Sequence, residues 1–431
     1  MKKVIGMLAV VALVSSVASA ELLKNFKYDG KVEVNAYQIT NGNDLNSKLK
    51  DKNTDVETRV QLNTGFDLND DVSAVVSVVK NNRHHGDVQE NVNTIQAQLV
   101  FQQAYMNLKG VLGMDHKLGR QYYGNEGDLI VYYGPTGYTY YPGLTVSALD
   151  AWTGWYKTGK WDMHAVSGKV SPLNTCNVGT ADTDVNLNGF VAAYDLMTDL
   201  KLGAYVYEQK NMQALYTTDI TLDVVGVKAT GKFMGFDYYG EVAKNYGHAI
   251  NAATDKSYTG TAILANAKYG YDFLGKWTFM GEIARGSGDK KSTDKKNTAF
   301  HSINSDYRPG AYWGRLQTGI GNSDPTNVIN HTGLTTWNVG AKWNPSKVEK
   351  LDLSGKYYYF APTETKLDGT KIGYTTVGTE LDLAANWKHS ESVNVRATLA
   401  AFMPNKKWAT TGGYVKHDTV NYAGLDFIVK F

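Results

Sequence analysis

The chain has a single cysteine, Cys176, in 431 residues, and only 8 prolines. One cysteine excludes a disulfide scaffold and a paired-cysteine haem attachment run. After the first twenty residues no stretch approaches eighteen consecutive apolar residues, which excludes helical membrane spans. No excess of one charge exists either: 44 Lys and Arg face 42 Asp and Glu, so nothing points to nucleic acid as a partner. No G-x-S-x-G or H-E-x-x-H pattern occurs. The cluster Arg83-His84-His85-Gly86-Asp87 is read as exposed loop, and no catalytic residue, metal or cofactor is expected.

What the chain does contain is tyrosine, 29 of them, with 43 glycines. Tyr and Trp gather where membrane barrels meet water, because the ring is apolar and its tip is wet. Lys2 and Lys3, an apolar run from Val4 to about Val14, and Ala18-Ser19-Ala20 before Glu21 read as a cleaved secretory signal over 1–20. One domain is expected over 21–431.

The dominant signal is a period of two. In 56–68, Val56, Thr58, Val60, Leu62, Thr64, Phe66 and Leu68 share one face, while Glu57, Arg59, Gln61, Asn63 and Asp67 share the other. The same alternation marks 377–387 and 393–402. Lipid-facing apolar residues alternating with polar luminal ones define a membrane strand. Eighteen such strands fit between 26–39 and 416–431. Short connections such as 69–71 and 273–274 alternate with long polar ones such as 124–143 and 287–334. The expected fold is therefore all-β: a transmembrane antiparallel β-barrel with short periplasmic turns and long extracellular loops, in a bacterial outer membrane. Alternation breaks in 94–109 and 219–229, where bulges are expected. The last face, Ala423 to Phe431, resembles the carboxy-terminal signal read by the barrel assembly machinery.

Eighteen strands enclose a lumen too wide for wall side chains to fill. Luminal parity gives Arg59, Lys268, Glu282, Lys342, Lys356, Glu380, Asp382 and Arg396 as pore-lining candidates. Arg120 falls on the lipid face by parity, which at the midplane costs about 2–4 kcal/mol, so it too is expected in the lumen. Acids and bases balance, which predicts weak ion selectivity. Loop 287–334 is expected to fold inward and narrow the channel. Loop 124–143, with Tyr132, Tyr133, Tyr138, Tyr140 and Tyr141, is the rival constriction.

Four motifs carry a family resemblance: Leu118-Gly119-Arg120-Gln121 with Gly127-Asp128, Leu149-Asp150, Ser287-Gly288-Asp289 leading to Phe300, and Gly378-Thr379-Glu380-Leu381-Asp382. In this order the chain resembles the alginate-export family of outer-membrane porins. The resemblance implies a monomeric eighteen-stranded barrel that passes an anionic polysaccharide or another solute. The balanced luminal charge instead favours small polar solutes or saccharides, and the short periplasmic turns leave no segment for a periplasmic gate. A surface receptor or adhesin, and a barrel-embedded hydrolase, are the alternatives that stay open. Expected surroundings are outer-membrane lipid and lipopolysaccharide.

Overall fold

The structure is a computed structural model, described over residues 24–49, 51–82, 99–135, 148–171, 185–213, 218–251, 254–316 and 333–431. The signal segment, Cys176, the Arg83–Asp87 cluster and Tyr138, Tyr140 and Tyr141 lie outside the described residues. Eighteen strands close into one antiparallel barrel. In chain order they are β1 Lys24–Thr40, β2 Asn53–Asp67, β3 Val72–Asn82, β4 Leu99–Val111, β5 Met114–Gln121, β6 Leu149–Thr158, β7 Trp161–Ser171, β8 Val185–Met197 and β9 Leu200–Gln213. They continue as β10 Thr218–Phe233, β11 Phe236–Asn251, β12 Thr261–Asp272, β13 Gly275–Gly286, β14 Leu334–Pro345, β15 Leu351–Pro362, β16 Gly378–Lys388, β17 Val393–Pro404 and β18 Val420–Lys430. Each pairs with the next, and β1 pairs with β18 from Lys31↔Lys430 to Thr40↔Asn421. Closure removes every unpaired edge, which a strand in lipid cannot tolerate.

The two faces separate as the alternation demands. On β2, Glu57 and Arg59 are 1% and 3% exposed, whereas Val60 between Arg59 and Gln61 is 38% exposed on the outer surface. The tight connections sit at one end. Phe233 pairs with Phe236 across Met234 and Gly235, both with left-handed backbone (φ 49° and 82°). Two consecutive positive φ values match the right-handed twist of the strands they join.

The break in β4 is a bulge: Ser77 pairs with Gln103 but Val78 pairs with Phe101, leaving Gln102 as the extra residue. The break expected in 219–229 is absent. The β10 ladders run unshifted from Thr218 to Phe233. Its irregular pattern has another cause, since Leu222 and Val224 face inward and are buried.

That observation generalises. In the half of the lumen nearest the long loops, many inward positions are apolar: Leu149, Val166 and Leu187 on one side, Phe360, Phe402 and Tyr422 on the other. They pack against Leu129, Ile130, Val131, Phe300, Tyr312 and Trp313, which belong to loops folded into the barrel. The barrel therefore has an internal hydrophobic core, and luminal residues need not be polar once a loop shields them from water.

Candidate functional site

Two loop segments, 123–135 and 298–316, form one insert inside the barrel. Asn304 N donates to Ile130 O (2.9 Å) and Tyr132 N donates to Asn304 O (2.8 Å), a short parallel bridge between the segments. Asp306 N donates to Asp128 O (3.0 Å), and Gly127 N donates to the Asp306 carboxylate (2.9 Å). The described part of loop 287–334 enters the lumen as expected, but that of its rival, 124–135, enters with it. Neither is the sole constriction.

One flank of the insert is held by backbone amides. Tyr312 N and Trp313 N donate to the two oxygens of Glu380 at 2.8 and 2.9 Å. Ala311 N donates to Asp382 (2.8 Å), and the Tyr307 hydroxyl donates to Glu282 (2.8 Å). Gly310 makes this approach possible: its φ is +87°, and a Cβ there would lie 2.8 Å from Glu380 Oε1. Any other residue would be strained twice. Trp313 then stacks on Phe360 and Phe402 with centroids 5.1 and 5.0 Å away. A six-residue helix, α1 (Lys406–Thr411), capped by the Asn405 side chain, brings Trp408 edge-on to Trp313 at 5.9 Å.

The other flank is held by side chains. Lys228 of β10 lies 3.8 Å from Asp128 on the insert and 3.6 Å from Glu241 on β11. Tyr205 and Tyr239 donate to Glu241 at 2.6 and 2.5 Å. Tyr123 meets the Tyr207 hydroxyl at 3.0 Å and His164 Nε2 at 3.1 Å. Burial pushes the Asp128 carboxyl up, an effect that the nearby Lys228 offsets in part. Burial, with Glu282 beside it, holds the Tyr307 phenol well above its ordinary range.

Between the insert and the wall of β13–β18 remains a cavity of about 480 Å³. Of the sequence-derived candidates, Glu282, Lys356, Asp382 and Arg396 line it together. Glu380 stands behind it as an anchor for the insert. Lys342 lies nearer the short-turn end and shares Asp352 with Lys388, both at 3.2 Å. Arg59 donates to Glu33 within the wall of β1 and β2, and Lys268 stands on β12 opposite Asp237.

Arg120 does not join them. It pairs with Ala104 and Asp150 in register, on the face of Leu118 and the exposed Met106, and its guanidinium contacts Asp150 at 3.1 Å. The inner face belongs to Gln121 and Thr153, bonded at 2.7 Å. Arg120 is next to last in its strand, and its outward charge is met by the Asp150 carboxylate.

Asp426 of β18, inward by the same alternation, lines the cavity too, as do Glu126, Asp306 and Arg308 of the insert, which the wall pattern could not supply. A usable signal existed: Phe300, Ile303, Tyr307, Tyr312 and Trp313 give that loop more apolar surface than a solvated loop carries.

A closed barrel of eighteen strands, narrowed by inward loops above a polar cavity, is a porin-like channel. The alginate export family matches residues 33–420, and the chain belongs to that family. In fold it is similar to OccD3 (OpdP) of Pseudomonas aeruginosa, at 11% identity, with 97% of each chain covered and a TM-score of 0.56. It is similar also to OccK8 (OprE) of the same organism, at 9% identity over 95% of this chain and 99% of that one, TM-score 0.56. Acinetobacter baumannii OccAB2 matches at 11% identity over 94% and 98%, TM-score 0.56. Comparison with curated proteins gave no match.

Proposed function

We propose that this protein is a monomeric, non-catalytic channel of a bacterial outer membrane that passes small polar solutes, saccharides among them, rather than an anionic polymer. The carrying observation is the lining of the cavity. Glu126, Glu282, Asp306, Asp382 and Asp426 stand there with Arg308, Lys356 and Arg396. A path for a polyanion needs a ring of one sign, and acids outnumber bases here. The insert, held on both flanks, narrows the bore. Outward side chains such as Val227, Val339 and Leu399 are more than half exposed, which suits surrounding lipid and the lipid part of lipopolysaccharide. Phe431 exchanges backbone hydrogen bonds with Gly30 at 2.8 and 3.0 Å, so the residue offered to the assembly machinery also helps seal the barrel.

Purified protein in planar bilayers should give small, stable conductance steps with a reversal potential that shows at most a weak cation preference in a salt gradient. Liposome swelling should slow steeply as neutral sugars grow from pentose to disaccharide. Strong anion preference would return the polyanion reading. Sealed barrels without steps would leave a surface receptor or adhesin.

A further inference from the structure

The charges on the cavity wall are ordered as well as mixed. Glu282 on β13, Lys356 on β15, Asp382 on β16, Arg396 on β17 and Asp426 on β18 all line the one cavity, and read around the barrel their signs alternate. β14, between the first two, contributes Asn338, which donates to Glu282 at 3.0 Å. Lys356 is the register partner of Asp382, and Arg396 is that of Asp426. Adjacent strands lie about 4.8 Å apart, so opposite charges stand roughly that far apart within each of these two pairs, while the pairs are offset along the strands, Arg396 being the partner of Asn386. Arg308, on the facing insert, adds a cation from across the gap.

We propose that this stripe is a binding station for small zwitterions, solutes that carry an ammonium and a carboxylate a few ångströms apart. The inference rests on the channel reading above and deepens it. A simple anion drawn to Lys356 is repelled by Asp382 beside it, and a simple cation meets the converse. In a partly desolvated lumen these opposing terms are of similar size. A dipolar solute lying across either pair gains at both ends, because its charges are spaced like those of the pair. A neutral sugar gains only hydrogen bonds.

The test uses four probes of nearly equal size on the intact channel in planar bilayers: β-alanine, propionate, propylammonium and 1,3-propanediol. β-Alanine should reduce the ion current saturably, with half-effect at about tenfold lower concentration than the other three, a difference of about 1.4 kcal/mol. In the double variant Lys356→Gln/Arg396→Gln that advantage should vanish and propylammonium should become the strongest blocker, since the three wall acids remain. Heat-modifiability on gels verifies that the variant is a folded barrel. Equal effects of all four probes on the unmodified channel, or block by β-alanine unchanged in the double variant, would overturn the station while leaving the channel intact. Absence of conductance from the unmodified protein would instead sink the channel reading.

Discussion

The two flanks of the insert are held by different chemistry. Toward β16, main-chain amides of residues 311–313 end on the carboxylates of Glu380 and Asp382. Toward β10 and β11, the tie is an ammonium between two carboxylates at 3.6 and 3.8 Å. Amide donors are part of the chain itself and cannot swing away, so the first flank fixes geometry. A long lysine gives up side-chain entropy to hold its place and is screened by salt. Glu380 therefore sets the position of the constriction, and the Lys228 side is left to adjust.

The largest effect should therefore follow Glu380→Ala. Each amide left buried without an acceptor costs about 1–3 kcal/mol, enough to release the 310–313 turn. Single-channel conductance should rise severalfold, with noisier open states. Gly310→Val should act in the same direction by forcing the turn off the carboxylate. Unchanged conductance in both variants would remove this flank's claim to set the bore.

A smaller, pH-dependent effect is expected for Lys228→Met. Burial already raises the Asp128 carboxyl, and loss of the cation raises it further. A carboxyl raised in the fold favours its protonated form, so its contribution is present in acid and lost as pH climbs through the raised value. Conductance of this variant should then increase between acidic and neutral pH, while the parent, whose carboxyl is raised less, changes less and at lower pH. A variant with the pH profile of the parent would make the Lys228 contact incidental.

The smallest effect should come from Asp368→Ala. This carboxylate accepts from Ser292 N at 2.8 Å and from the Ser292 hydroxyl at 2.5 Å, tying the outer part of loop 287–334 to the hairpin of Lys366–Leu367 and Thr370–Lys371. Those bonds hold the Asp368 carboxyl below its ordinary range. The tie is therefore present above the ordinary aspartate value and lost as pH falls through the lowered one. The variant should be cut by protease within 290–296 while its conductance is unchanged. A conductance change would mean that the outer loop and the insert move as one.

The wall was legible in the sequence because its rule is local. Residues i and i+2 share a face whatever the rest of the chain does, so β2, β16 and β17 and the number of strands could be read directly. The same rule placed Glu282, Lys356, Asp382 and Arg396 on the inner surface, and the broken alternation marked the bulge at Gln102. Tertiary structure alone decided where polarity stopped indicating the lumen. Leu222 and Val224 can face inward because two distant loops cover them, and Arg120 can face outward because Asp150 of the next strand meets it. Glu380 resembles any other luminal acid until Tyr312, 68 residues earlier, meets it. Contacts of that separation depend on closure of the barrel, which brings together residues whose neighbours in sequence carry no record of the meeting.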